Sequence, residues 1–148
     1  MKHTSKKLEQ LKALSFNEFL LLLKSSLLLP LISISLKSKG YKWTRSLLEN
    51  HVPDHKYLNK SKIGSLEEAQ KFARIVSIAS RHGAYNATCL IQALLTWWLL
   101  ARRGIQTDLL IGVNNQEAFK AHAWVEYQGD VLIDRSDIRV DFSVFKSS

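Results

Sequence analysis

Residues 88–113 read TCLIQALLTWWLLARRGIQTDLLIGV and residues 121–134 read AHAWVEYQGDVLID, and these two stretches decide the fold. The first opens with Cys89–Arg103, a run that is apolar all round, which in a soluble chain means a helix buried in the core. Arg102 and Arg103 suit the negative end of that helix, and Gly104 supplies a left-handed cap. Ile105–Val113 then has strand character and ends on the turn signal Asn114–Asn115. Ala121–Tyr127 is a second strand, Gln128–Gly129–Asp130 a tight turn, and Val131–Asp134 the returning strand. One buried helix followed by an antiparallel meander is an α+β arrangement.

Chemistry enters through three residues of the same stretches. Cys89 is the single cysteine of the chain, so no intramolecular disulfide forms and nothing speaks for an oxidising compartment. It stands where its helix begins. Unpaired N–H groups and the positive dipole end there favour thiolate over thiol, and the same N–H groups can hold an oxyanion. A thiol nucleophile works with a general base, and the base with an acceptor that fixes its tautomer. Pleating puts His122, Trp124 and Glu126 on one face of their strand and Ala123, Val125 and Tyr127 on the other. Across a hairpin turning at Gln128–Asp130, residues 122 and 134, whose numbers sum to 256, fall near opposite each other. Taken singly, Cys89 reads as core, His122 as a hydrogen-bonded histidine and Asp134 as a turn cap before Arg135–Ser136. Taken together they read as nucleophile, base and orienting acid.

Working outward, Ser65 and Glu68 have capping-box spacing and open a helix through Arg81, with Leu66, Ala69, Phe72, Ala73, Val76 and Ala79 as its buried stripe. Ser15 and Glu18 repeat that spacing and open a helix toward Leu29. Pro30 is expected to kink or restart it, giving a second segment to Leu36. Gly40 breaks the run, Lys42–Asn50 forms another helix, and polar 52–62 with Pro53 is the expected linker. Lys6–Leu14 reads as one more short amphipathic helix. The domains expected are therefore a basic helical region, 1–63, and a catalytic region, 64–148.

Charge divides along the same line. Residues 1–63 hold 12 Lys/Arg and 4 Asp/Glu, while residues 64–148 hold 9 of each, so the net charge of +8 lies entirely in the first part. Such a region can meet an acidic protein, an anionic membrane or nucleic acid, or can simply be a solvated face. Nucleic acid is disfavoured, because Tyr41, Trp43 and Tyr57 are the only candidates there for a stacking surface and the cations are not interleaved with aromatics. Phe19–Leu36 has the minimum length of a span, but Lys24, Ser25, Ser26 and Pro30 interrupt it. It reads as a buried or interfacial helix. A basic start followed by a small-residue cleavage site is missing, so it does not read as a signal peptide. His3, His51, His55, His82 and His122 have no ligand spacing with the cysteine, and no Gly-rich phosphate loop occurs. Neither a metal nor ATP is expected as a cofactor.

The order Cys–His–Asp, with cysteine opening a helix and His and Asp on adjacent strands, resembles the transglutaminase-like branch of papain-fold enzymes. More narrowly, the Cys-Leu pair opening a Leu-rich helix, the Arg-Arg-Gly-Ile turn and His-Ala-Trp-Val-Glu before an acidic residue resemble the leader peptidases of lasso-peptide biosynthesis. The likeness covers about residues 65–141. It implies a papain-like core with an N-terminal helical extension and Cys89, His122 and Asp134 as the catalytic triad. It also implies a cytoplasmic hydrolase that removes the leader of a ribosomally made precursor before a separate ATP-dependent cyclase closes the macrolactam. The family's small β-rich leader-binding domain is absent from the helical N-terminal half, so a separate recognition protein is expected, docked by the basic region. Papain-like enzymes often carry a Gln shortly before the nucleophile as an oxyanion donor. Residues 81–88, RHGAYNAT, have only Asn86 as a side-chain amide, so the Cys89 backbone N–H is the first donor expected. Asn86 and Trp124 are the residues expected on the substrate side, whereas Trp97 and Trp98 read as packing. An acyltransferase on the same fold and a non-enzymatic basic binding module are the competing readings.

Overall fold

The computed structural model describes residues 14–53, 64–82, 87–114, 120–132 and 142–146. Among the described residues three helices, α1 (Phe16–Asn50), α2 (Leu66–His82) and α3 (Cys89–Arg102), precede four strands. These are β1 (Asp108–Asn114), β2 (Lys120–Tyr127), β3 (Asp130–Val131) and β4 (Ser143–Lys146). The sheet is antiparallel throughout, in the order β3-β2-β1-β4. The chain is α+β, as its sequence pattern requires. The helix expected over Lys6–Leu14 and most of the linker expected over 52–62 lie outside the described residues.

The capping box at Ser15–Glu18 forms in full, and at Ser65–Glu68 the serine half forms. The Ser15 hydroxyl accepts from the Glu18 amide at 3.4 Å while the Glu18 carboxylate accepts from the Ser15 amide at 2.8 Å. These bonds hold the Glu18 carboxyl below the ordinary carboxylate range. At α2 the Ser65 hydroxyl accepts from the Glu68 amide at 3.1 Å. Each bond satisfies an amide that the first helical turn would otherwise leave open.

The break in α1 is at Gly40 and not at Pro30. Pro30 lies within regular helix, whereas Gly40 has φ 81° and ψ 177°, backbone that only glycine adopts without strain. Proline costs one helical hydrogen bond, but Leu29 and Ile32 on either side of it are buried in the core, and that packing keeps the helix running. Thr44 spans the Gly40 break. Its hydroxyl donates to the Gly40 carbonyl at 2.8 Å and meets the Ser35 hydroxyl at 2.7 Å.

α3 is the hub. It packs on α1, α2 and β2, and Leu94, Leu95 and Leu100 have no exposed surface. Each such leucine contributes about 1.5–3 kcal/mol of transfer free energy. Trp98 is core, as expected, and its indole N–H donates to the Leu48 carbonyl at 2.9 Å, holding the end of α1 against α3. Arg102 lies over the Trp98 ring and Arg103 over Phe72, with centroid distances of 4.9 and 5.3 Å. At the far side, the Tyr127 hydroxyl donates to the Gly64 carbonyl at 2.7 Å, tying the end of β2 to the start of α2.

The hairpin register differs by one residue from the expected one. Tyr127 pairs with Asp130 and Glu126 with Val131, so partner numbers sum to 257 rather than 256. The turn holds two residues, Gln128 at φ 51° and Gly129 at φ 93°, and Asp130 already belongs to β3. Two successive positive φ values match the right-handed twist of the strands, which is why two-residue turns of this kind close hairpins. The Leu132 amide donates to the Val125 carbonyl at 3.0 Å and extends the same register. Along the described pairing the register is one residue from the one that would set 122 directly opposite 134. Asp134 itself lies outside the described residues.

Candidate active site

Cys89 is the first residue of α3 and is half-buried. Thr88 caps the helix with extended backbone, but its hydroxyl makes no capping hydrogen bond, so no threonine oxygen competes for the first-turn amides. The chain is steered into this helix from two sides. The Gln92 side-chain amide donates to the Ala87 carbonyl at 3.0 Å, and the Ser80 hydroxyl donates to the same oxygen at 3.4 Å. One bond comes from α3 itself and the other from α2, so the residue two positions before Cys89 is fixed by both helices. Sequence reasoning missed Gln92 and Ser80. The available signal was that Gln92 is one of only two polar residues, with Thr96, in Cys89–Ala101.

His122 lies near the start of β2, opposite Gly112 of β1. The two faces of β2 divide as pleating requires. Ala123, Val125 and Tyr127 join the core that the helices form, while Trp124 packs with Leu110, Val131 and Phe142 in a second cluster. His122 belongs to that second face. Its half-buried ring stacks on Trp124 with centroids 6.2 Å apart and planes at 19°, and meets Phe142 at 5.6 Å and 37°. Trp124 is 1% exposed and its indole N–H donates to the fully buried Glu126 carboxylate at 2.8 Å. Glu126 thus fixes Trp124, and Trp124 supports the imidazole. Trp124 was expected to line the substrate side. Its burial instead makes it the floor on which His122 rests.

Gly112 makes this stack possible. A Cβ there would stand 2.7 Å from the Phe142 Cβ and 3.0 Å from two atoms of the Trp124 six-membered ring. Gly112→Ala is expected to push both rings away from β1 and to tilt His122 with them, at a cost of about 1–3 kcal/mol for overpacking. Turnover should fall at least about tenfold, because misplacement of a base by an ångström is enough for that. Near-ultraviolet circular dichroism and turnover, taken together on the variant, check the expectation. An unchanged aromatic signal with full turnover would mean that the stack does not position the base.

α3 packs on the Ala123, Val125 and Tyr127 side of β2 and His122 belongs to the other side, so Cys89 and His122 stand on neighbouring elements. What the described residues establish for them is this adjacency, the fixed approach to Cys89 and the ring stack under His122. Asp134 and Asn86 lie outside the described residues. Two grooves of about 430 and 410 Å³ lie elsewhere, one between the starts of α1 and α2, the other beside Trp97 and Thr107. Neither is lined by Cys89 or His122.

A thiol on the first turn of a helix and a histidine on a strand of the sheet that this helix packs against are the residue types that cysteine chemistry through an acyl intermediate uses. The family model of the transglutaminase-like superfamily matches residues 28–147, and the chain belongs to that superfamily. The superfamily includes cysteine peptidases and acyltransferases and is generally enzymatic. No curated protein and no solved structure matches the chain significantly.

Proposed function

We propose that this chain is a cysteine peptidase that removes the leader from a ribosomally made lasso-peptide precursor. The observation that carries the reading is the cysteine-opened helix, packed on the histidine-bearing strand, in a chain of the transglutaminase-like superfamily. The narrower part rests on the Arg-Arg-Gly-Ile turn after α3 and the His-Ala-Trp-Val-Glu run in β2. Cys89 attacks the carbonyl at the leader–core junction and its proton passes to His122. The Cys89 backbone N–H faces the developing oxyanion. Collapse of the tetrahedral species expels the core amine, which takes the proton from His122. Water then opens the leader thioester and restores the thiol. Asp134 orients His122 and stabilises its cationic form. No cofactor takes part.

Leader capture falls to a separate recognition protein, and the freed core passes to an ATP-dependent cyclase. A free thiol nucleophile and an ATP-consuming next step fit the cytoplasm. The test is reconstitution of precursor, recognition protein and this chain, with products weighed by mass spectrometry. The expected products are the leader ending in a carboxylate and the intact core with a free amine. Leader joined to an added amine in place of the acid would instead establish the acyltransferase reading.

A further inference from the structure

α1 turns one face inward and leaves another uncovered. Leu29, Ile32 and Leu48 are in the core, and Ser25, Ser33 and Thr44 are buried beside them. On the outer side Phe16, Phe19, Leu20, Leu23, Leu27, Leu31 and Ile34 are exposed, from 46% at Leu20 to 75% at Phe16. At 100° per residue they fall within one stripe, a third of the helix circumference, running about 27 Å along its axis. A soluble protein seldom shows so long an apolar surface without a use for it.

Length and composition alone would let α1 cross a bilayer, with a mean hydropathy of 2.1 in its best window. Packing decides against that orientation. A span would have to pull Leu29, Ile32 and Leu48 out of the core, and would break the contacts of Glu18 with Lys71 and Arg74 of α2, 3.9 and 3.7 Å away. Only the outer stripe is available, which suits a helix lying in the plane of an interface.

Charge selects the surface. Exposed Lys24 flanks the stripe, and Lys37, Lys39 and Lys42, also exposed, follow it. Burial, with Arg102 and Arg103 close by, pushes the Lys24 ammonium below its usual range, so the end of α3 adds two more cations to this side. A second copy would bring another net charge of +8 against the first. An anionic lipid surface is complementary in both apolar and electrostatic terms.

We infer that the outer face of α1 seats this protein on anionic membranes as an in-plane amphipathic helix, with the stripe in the acyl boundary and the lysines among the headgroups. The inference does not depend on which bond Cys89 cleaves.

The experiment is flotation of the full chain with vesicles of phosphatidylcholine alone and with a third phosphatidylglycerol, at low and high salt, beside sedimentation of the free protein. Wild type should float with the anionic vesicles, less so at high salt, and should sediment as a monomer. Leu27→Glu with Leu31→Glu changes two exposed positions, so the protein should melt as wild type does while vesicle binding falls about a hundredfold. Lys37→Gln with Lys39→Gln and Lys42→Gln should abolish the preference for phosphatidylglycerol and leave weak binding to both vesicles. Failure of wild type to float at low salt overturns the inference, as does full binding by the double glutamate variant. A wild-type dimer that the glutamates split, or loss of recognition-protein binding while flotation survives, would assign the stripe to a protein partner instead.

Discussion

Cys89→Ala is expected to leave a folded protein that releases no leader. The side chain is half-buried at the first position of α3, and its loss removes one sulfur from a helix otherwise held by Leu94, Leu95 and Leu100. The stability cost should be on the order of 1 kcal/mol. The chemical cost is of another size, because no other group can form the thioester, and loss of a nucleophile typically lowers turnover on the order of 10⁴–10⁶-fold. Cys89→Ser should be nearly as inactive, since a hydroxyl needs far more help from its base. Mass spectrometry of the reconstituted reaction, with a melting curve of each variant, separates the two effects. A tenth of wild-type cleavage surviving in the alanine variant would remove Cys89 from the reaction.

His122→Ala should cost about as much in turnover, because nucleophile and base act as a unit. It also removes a ring from the stack with Trp124 and Phe142, worth about 0.5–1.5 kcal/mol per pair. Alkylation of Cys89 by iodoacetamide provides a readout that packing alone would not move. If the imidazole takes the thiol proton, the alanine variant should alkylate more slowly at neutral pH while its melting point drops by only a few degrees. Asp134→Asn should do less, on the order of 10²–10⁴ in turnover, by disturbing tautomer and imidazolium alone. Alkylation at the wild-type rate in His122→Ala would show that the base lies elsewhere.

The elements that position the site are those with the strongest pattern. α3 is apolar all round and can be nothing but interior, and β2 alternates so that His122 and Ala123 must part to opposite faces. The capping signals are local, four residues reading one another: the Ser15–Glu18 box forms in full and Ser65 accepts from the Glu68 amide. What the pattern could not supply depends on partners distant in sequence. Pro30 stays helical because Leu29 and Ile32 are gripped by a core assembled from other helices. The exact hairpin register was not legible because Gln128 takes a positive φ, unusual for a side chain with a Cβ, and the turn closes on two residues, Gln128 and Gly129, rather than on three. Nothing local marks Gly112, whose role depends on Trp124 from β2 and Phe142 meeting across its backbone. Nor does anything local mark Gln92, whose partner is the Ala87 carbonyl.

The enclosure of α3 has a consequence for how this molecule breathes. A helix surrounded by α1, α2 and β2 opens only with the whole fold, so amides in the middle of α3 should be among the last to exchange with deuterium. The sulfur rides at the tip of that slow-exchanging rod, and the carbonyl before it is clasped from two helices. The Cys89 thiol therefore does not search for its place, and in the proposed reaction any tolerance for different sequences would reside in the segments around it.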